Sequence, residues 1–246
     1  MNLPLAATGL AAGAWLAYAW LPHLATPACT WRGPRGAHRM ALTFDDGPDA
    51  GWTPRVLAEL ARLGVPATFF LVGERAARAP GIVREMAAAG HEIANHSWSH
   101  RSLWLLSPAR TEDEIGRTHA LLGDLGGRAP RHFRPPWGMV NAAMFRVLRR
   151  WRERCVFWSI QTEGLRPRSA LAQAAHLRRR AHAGAIVDLH DAEGLAGAPA
   201  RLLAALPVMV DELRAAGYDL VTVTELLEGT SHLDGGPGNA GTPRLP

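Results

Sequence analysis

Lysine is missing from this 246-residue chain: all 27 basic side chains are arginine, against 22 acidic ones, for a formal charge of +5. Replacement this complete points to a GC-rich coding bias rather than to a mechanism. Cysteine is nearly missing too. Cys29 and Cys155 allow at most one intramolecular bridge, which excludes a disulfide scaffold and a cysteine-ligated zinc finger, and nothing in the sequence pairs them. Charge is missing from one whole stretch, since no Asp, Glu, Lys or Arg precedes Arg32. The 25 glycines and 18 prolines fall short of a low-complexity composition, and 48% hydrophobic residues suffice for a sizeable core. Disorder throughout, collagen and coiled coil are thereby excluded. Arginine runs at Arg149, Arg150, Arg152 and Arg154 and at Arg178, Arg179 and Arg180 read as solvated helix faces. No nucleic-acid-binding fold or aromatic-interleaved basic patch accompanies them, so no nucleic acid is expected as a partner.

The uncharged stretch Leu3 to Leu21 is close to the ~20 residues that span ~30 Å of hydrocarbon. Trp15, Tyr18 and Trp20 sit toward one end, where amphipathic rings favour the interface. Residues 1–36 are therefore expected to be a hydrophobic transmembrane or signal-anchor helix with a linker, making the membrane a partner. A cleaved signal peptide competes, with Ala17-Tyr18-Ala19 as its small-residue site, but it lacks the positive leading region. Arg32, Arg35 and Arg39 would pull that side toward the cytoplasm, so an exported domain and the charge rule conflict and orientation stays open. Residues 37–229 read as the catalytic domain and the Gly/Pro-rich residues 230–246 as a disordered tail.

Within the domain, strand and helix patterns alternate. Met40–Phe44, Thr68–Val72, His91–Ala94, His132–Arg134, Val156–Ile160, Ile186–Leu189 and Leu220–Val223 read as seven strands. Helices start at Thr53-Pro54 and Ser107-Pro108, each a cap residue followed by proline. Continuous apolar strands separated by amphipathic helices predict a parallel α/β sheet with helices on its outer face. An open doubly wound sheet and a closed barrel share this signature. In both, ligands meet the carboxyl ends of the strands.

Four of those ends carry unusual polar residues. The first strand runs into Asp45-Asp46-Gly47-Pro48, and adjacent carboxylates at a buried strand end are relieved by a cation. His96-Ser97-Trp98-Ser99-His100 places two imidazoles at i, i+4, a spacing that can share a metal. Arg134-Pro135-Pro136-Trp137-Gly138 fixes an arginine beside prolines, and Asp188-Leu189-His190-Asp191 ends the sixth strand. Taken together they read as one site: an Asp and two His as an open metal triad, a spare Asp, an Arg and a separate His. Three protein ligands with a vacant position suit catalytic zinc, which lowers the pKa of a bound water to ~7. Asp45 would take that water's proton, Arg134 would hold Asp45 as an oriented carboxylate, and His190 would protonate the leaving group.

TFDDGP, NHSWSH, RPPWG and LHD, in this order over roughly residues 39–229, resemble the polysaccharide deacetylases of carbohydrate esterase family four. The resemblance implies a distorted (β/α) barrel of about seven parallel strands. It also implies a divalent metal, zinc before Co2+ or Ni2+, and hydrolysis of an N-acetyl or related acyl group on amino sugars of cell-wall or chitin-like glycans. By motif matching, Asp45 is the base, Asp46, His96 and His100 are the metal ligands, Arg134 tunes the base and His190 is the acid. Trp137, with Pro136 and Leu189 of the same motifs, is assigned to the substrate groove. A monomer with a membrane-anchored or exported catalytic domain is expected.

The sequence departs from the family in two places. Gly164-Leu165 stands where an Asp-Trp pair supports the acid histidine, with Glu163 one residue earlier, and Asp188 replaces an apolar residue of the acyl pocket. Residues i and i+2 of a strand share a face, so Asp188 is expected to support His190 in that Asp's place, with Glu163 the second choice. A polar acyl pocket is the other consequence of Asp188. Two rival functions remain: hydrolysis of a non-sugar amide or imide bond, and a catalytically silent glycan-binding protein that keeps its metal. His91, His119, His132, His176 and His182 read as structural or surface residues, Asp49 as a turn residue, and Glu193 as a neighbour of the site.

Overall fold

The first strand, β1 (Arg39–Asp45), is buried on both faces after Arg39, because it lies at the centre of a sheet. β2 (Thr68–Leu71), β3 (Glu92–Asn95), β4 (His132–Phe133) and β5 (Arg154–Cys155) follow on one side, and β7 (Ile186–His190) and β6 (Ile160–Gln161) on the other. Every pairing is parallel. A short β8 (Asp219–Leu220) pairs with the start of β1. This computed structural model describes residues 12–36, 38–163, 168–193 and 196–229.

The two edges of the sheet, β5 and β6, are consecutive in the chain and separated only by residues 156–159. So short a connection obliges the sheet to curl until its edges approach, at no more than ~3.5 Å per residue. Thr30 bridges Val156 in parallel and Arg32 bridges Ala185 in antiparallel fashion, so residues 30–32 lie in the seam. The result is a half-barrel of parallel strands that fits a distorted (β/α) barrel, its two edges approaching across residues 30–32 rather than pairing with each other.

Alternation along the strands sorts the side chains. Leu42, Phe44, Phe69, Leu71, Val187 and Leu189 face outward onto helices α1 (Thr53–Leu63), α3 (Pro80–Ala88), α6 (Ala170–Arg180) and α7 (Ala198–Ala215). The remaining helices are α2 (Gly73–Arg78), α4 (Pro108–Gly126), α5 (Ala142–Trp151) and α8 (Val223–Glu228). Ala41, Phe70, Ala94 and Ile186 fill the interior with Val221 and Leu226. Ser107 caps α4 as its cap signal predicts, whereas α1 already includes Thr53, so Trp52 and not Thr53 holds its cap position; α1 ends at left-handed Gly64.

Two expected strands change. The predicted strand Val156–Ile160 is interrupted: β5 ends just before it, β6 begins only at its last residue, and between them the carbonyls of Val156 and Phe157 accept from the Arg134 guanidinium instead of a ladder partner. The expected strand Leu220–Val223 stops after Leu220, because Thr222 and Glu225 form a capping box that starts α8.

The expected N-terminal anchor falls partly outside the described residues, as do the tail and Gly164-Leu165. No helix among the described residues is long and apolar enough to cross a membrane. Residues 12–19 are helical, and this helix touches the domain: Trp15 Nε1 donates to Trp104 O at 3.0 Å, and Ala19 is buried.

Candidate active site

Asp46 leaves β1 with φ +73°, and His96 leaves β3 before Ser97 (φ +67°) and His100 (φ +57°). Five non-glycine residues have positive φ among the described residues, and Asp46, Ser97, His100 and Trp137 are four of them. Such backbone costs about 1–3 kcal/mol per residue and persists only where its surroundings over-determine it. The restraints are visible. Asn95 Oδ1 accepts from Ser97 N at 3.0 Å, and Glu114 accepts from Ser99 N and Oγ at 2.7 and 2.6 Å. Asn95 is itself held by Glu153 and the Ile115 carbonyl, both at 3.0 Å. On the other side, Arg75 donates to Asp46 O at 2.8 Å. A Cβ on Gly47 would stand 2.5 Å from the buried Asp191 carboxylate, so only glycine lets the loop close there.

His96 Nδ1 lies 2.7 Å from the Arg134 carbonyl, which can only accept, so Nδ1 carries the proton and Nε2 presents a lone pair. That Nε2 faces Asp46 Oδ1 at 3.5 Å, and His100 Nε2 faces the same oxygen at 2.9 Å. Asp46 Oδ1 is buried and makes no well-formed hydrogen bond. Burial would raise the Asp46 carboxyl, but the facing imidazoles of His100 and His96 outweigh it and hold it far below the carboxylate range. One ligand atom from each of Asp46, His96 and His100 lies within 4.8 Å of the others. Lone pairs aimed at one another call for a proton or a cation between them, and a carboxylate with two imidazoles is a zinc-type donor set. The residues fit a divalent ion.

Beside the triad, Arg134 is wholly buried. Its Nη1 donates to Asp45 Oδ1 at 2.6 Å and to Thr43 Oγ1 at 2.8 Å, and its guanidinium carbon sits 4.0 Å from the Phe70 ring centre. Register pairs Asp45 with His190 across β1 and β7. The expected support of His190 by Asp188 is altered in detail. Asp188 shares the interior face, but its Oδ1 is 3.5 Å from Arg134 Nη1, and the carboxylate nearest His190 Nδ1 is Glu163, at 3.3 Å. Burial alone would lower His190; the charge of Asp188 and the hydrogen bond that His190 donates to Glu163, with Asp45 and Asp46 behind them, push it up to about 10. Burial pushes the Asp188 carboxyl up.

The other assigned residues divide. Trp137, 69% exposed, stands at the rim with its ring 5.2 Å from that of His100. Pro136, the residue before it, is buried. Leu189 does not reach the cleft: strand alternation turns it outward, and it is fully buried in the core opposite Asp188 and His190. Glu193 accepts from Gly197 N at 3.2 Å, ahead of α7, and Asp49 Oδ1 accepts from Gly51 N and Trp52 N in a turn. Thr43, Asn95, Glu114, Glu153 and Asp191 were not singled out as supports. Thr43 had a signal, being two residues before Asp45 on the same strand face; Glu114, in α4, and Glu153, just ahead of β5, are brought in from distant parts of the chain and had none.

The model of the family described as polysaccharide deacetylase matches residues 32–156, half of the chain. The chain belongs to the polysaccharide deacetylase family. It is 31% identical over 216 residues to a peptidoglycan-N-acetylglucosamine deacetylase of Bacillus cereus, across 88% of this chain and 77% of that protein. Against the peptidoglycan-N-acetylglucosamine deacetylase PgdA of Listeria monocytogenes it is 35% identical over 188 residues, 76% of this chain but only 38% of that one. A solved peptidoglycan N-acetylglucosamine deacetylase, in complex with 4-naphthalen-1-yl-N-oxidanyl-benzamide, superposes with TM-score 0.78 at 30% identity, covering 85% of this chain and 96% of that one. The family's deacetylases are hydrolases of non-peptide carbon–nitrogen bonds, and this polysaccharide deacetylase is an enzyme of that type.

Proposed function

We propose that this protein is a metal-dependent hydrolase that removes N-acetyl groups from amino sugars of cell-wall or chitin-like glycans. The observation that carries the reading is the convergence of Asp46, His96 and His100 beside the Asp45–Arg134 pair, with His190 in register across β7. Asp46, His96 and His100 would hold a divalent ion, zinc by the chemistry of the donors. When bound, the ion supplies Lewis acidity and makes water nucleophilic near neutral pH.

The chain's own residues do the rest. Asp45, fixed by Arg134 and Thr43, accepts the proton of the water that attacks the amide carbon. His190 delivers a proton to the departing nitrogen as the C–N bond breaks, leaving acetate and a free amino sugar. Glu163 orients His190 through Nδ1, and the charge of Asp188 with that contact stabilises its protonated form, the part otherwise played by the missing Asp. Trp137 offers an apolar ring face on which a sugar can rest.

The relatives' cell-wall substrates support action outside the cytoplasm, with the apolar N-terminal residues tethering a monomeric enzyme to the membrane. The exposed Trp137 favours a sugar over a small amide or imide. The full set of base, acid and their partners speaks against a silent glycan-binding protein. Acetate release from N-acetylglucosamine oligomers by the zinc-loaded protein, abolished in Asp45→Asn, is the expected result. Zinc-loaded protein that binds these oligomers and releases nothing would refute the reading.

A further inference from the structure

The two cysteines, one in the N-terminal arm and one in β5, meet at the barrel seam. The parallel bridge between Thr30 and Val156 sets Cys29 beside Cys155 one residue earlier in each segment. The pairing is tight: Thr30 N donates to Cys155 O at 2.9 Å, and Phe157 N donates to Thr30 O at 2.7 Å. Both side chains belong to one apolar cluster with Phe133, Val147 and Phe157. The thiols are hydrogen-bond neighbours, which lowers that of Cys29 and, together with burial, raises that of Cys155.

We infer that Cys29 and Cys155 are a built disulfide site, closed by a disulfide-class oxidant, that staples the N-terminal arm across the seam. Both thiols are free in this structure. Cys29 is half-buried and Cys155 buried, so the order of events follows from access. The Cys29 thiolate attacks a sulfur of the oxidant and expels one thiol, giving a mixed disulfide. Cys155 then loses its proton and attacks the Cys29 sulfur, expelling the second thiol. The chain gives up two electrons and two protons, and the oxidant leaves as two thiols.

The staple bears on the catalytic machinery by position. Val156 and Phe157, directly after Cys155, give Arg134 two of its carbonyl acceptors. The arm that Cys29 would pin is the one whose Thr30 holds Phe157 in place. A cross-link here also closes a loop of about 125 residues, where the entropy removed from the unfolded chain is large.

The test uses the full-length chain, reduced and then equilibrated with oxidised glutathione, unfolded, alkylated and weighed. The expected result is no alkylated cysteine, a mass lighter by two hydrogen atoms, a linked peptide pair containing Cys29 and Cys155, and a Tm roughly 10 °C above that of the reduced protein. Cys29→Ser should fold with a Tm near that of the reduced parent and lose the oxidant-dependent rise. Two alkylated cysteines, a lasting glutathione adduct on Cys29, or disulfide-linked dimers would each overturn the inference. None of these readouts depends on metal or on deacetylation.

Discussion

The two ends of the barrel use the same residue types to opposite effect. At the amino ends of the strands, Glu92 meets His132, Thr68 and Thr224. Its Oε2 accepts from Thr68 Oγ1 and Thr224 N at 2.8 and 3.0 Å, its Oε1 accepts from Thr224 Oγ1, and His132 Nε2 stands 3.3 Å away. Each oxygen is matched, and these contacts outweigh burial and hold the carboxyl down to about 2. At the carboxyl ends, Asp46 Oδ1, Asp188 Oδ1 and Asp191 Oδ1 are buried without well-formed hydrogen bonds, and Asp46 itself sits on backbone that bends through positive φ. Carboxylates and imidazoles that satisfy one another stabilise; those left facing a shared space are poised for something outside the chain.

The sharpest way to break this contrast is at the carboxyl ends. His96→Ala should lower deacetylation by about 1,000-fold or more and strip the metal, while leaving the metal-free Tm unchanged or higher. Glu163→Gln comes next: kcat should fall roughly 10–100-fold with KM nearly constant. Its pH–rate profile carries the sign. His190 must be protonated to act, so activity is lost as pH rises through its elevated pKa, and removing the Glu163 charge should move that basic limb to lower pH, with Glu163→Asp restoring part of it. A limb that stays in place would sink the positioning role.

At the opposite end the effect should appear in stability alone. Glu92→Gln should leave kcat unchanged and cost about 1–3 kcal/mol of folding stability at pH 7. A carboxyl held at about 2 contributes above its ordinary value near ~4.5 and loses that contribution as pH falls toward 2. The variant's deficit should therefore shrink in acid. Smallest is Trp137→Ala, expected to raise KM for oligosaccharides a few-fold with no change in Tm.

Much of this contrast was legible in the sequence, for identifiable reasons. Asp45-Asp46 and His96-x3-His100 are local spacings, and a strand end followed by a turn announces itself, so the residues that the structure brings together could be named in advance. Alternation was legible too, but used unevenly: the rule that put Asp188 and His190 on one face also turns Leu189 away from the cleft. What hid was contact across the fold. That Asp188 faces Arg134 while Glu163 reaches His190 depends on where residues 156–163 run once the Arg134 guanidinium has taken two carbonyls from a would-be strand. The proximity of Cys29 to Cys155 hid for the same reason, being set by a seam that exists only after the sheet curls.

Metal content of the full-length chain after dialysis against micromolar zinc is the most direct check on whether three side chains from two strand ends surround a single cation. One equivalent per chain in the parent, falling to nearly none in both Asp46→Ala and His96→Ala with their folds intact by circular dichroism, is what the geometry requires. A folded parent that retains no zinc, or variants that retain as much as the parent, would contradict it.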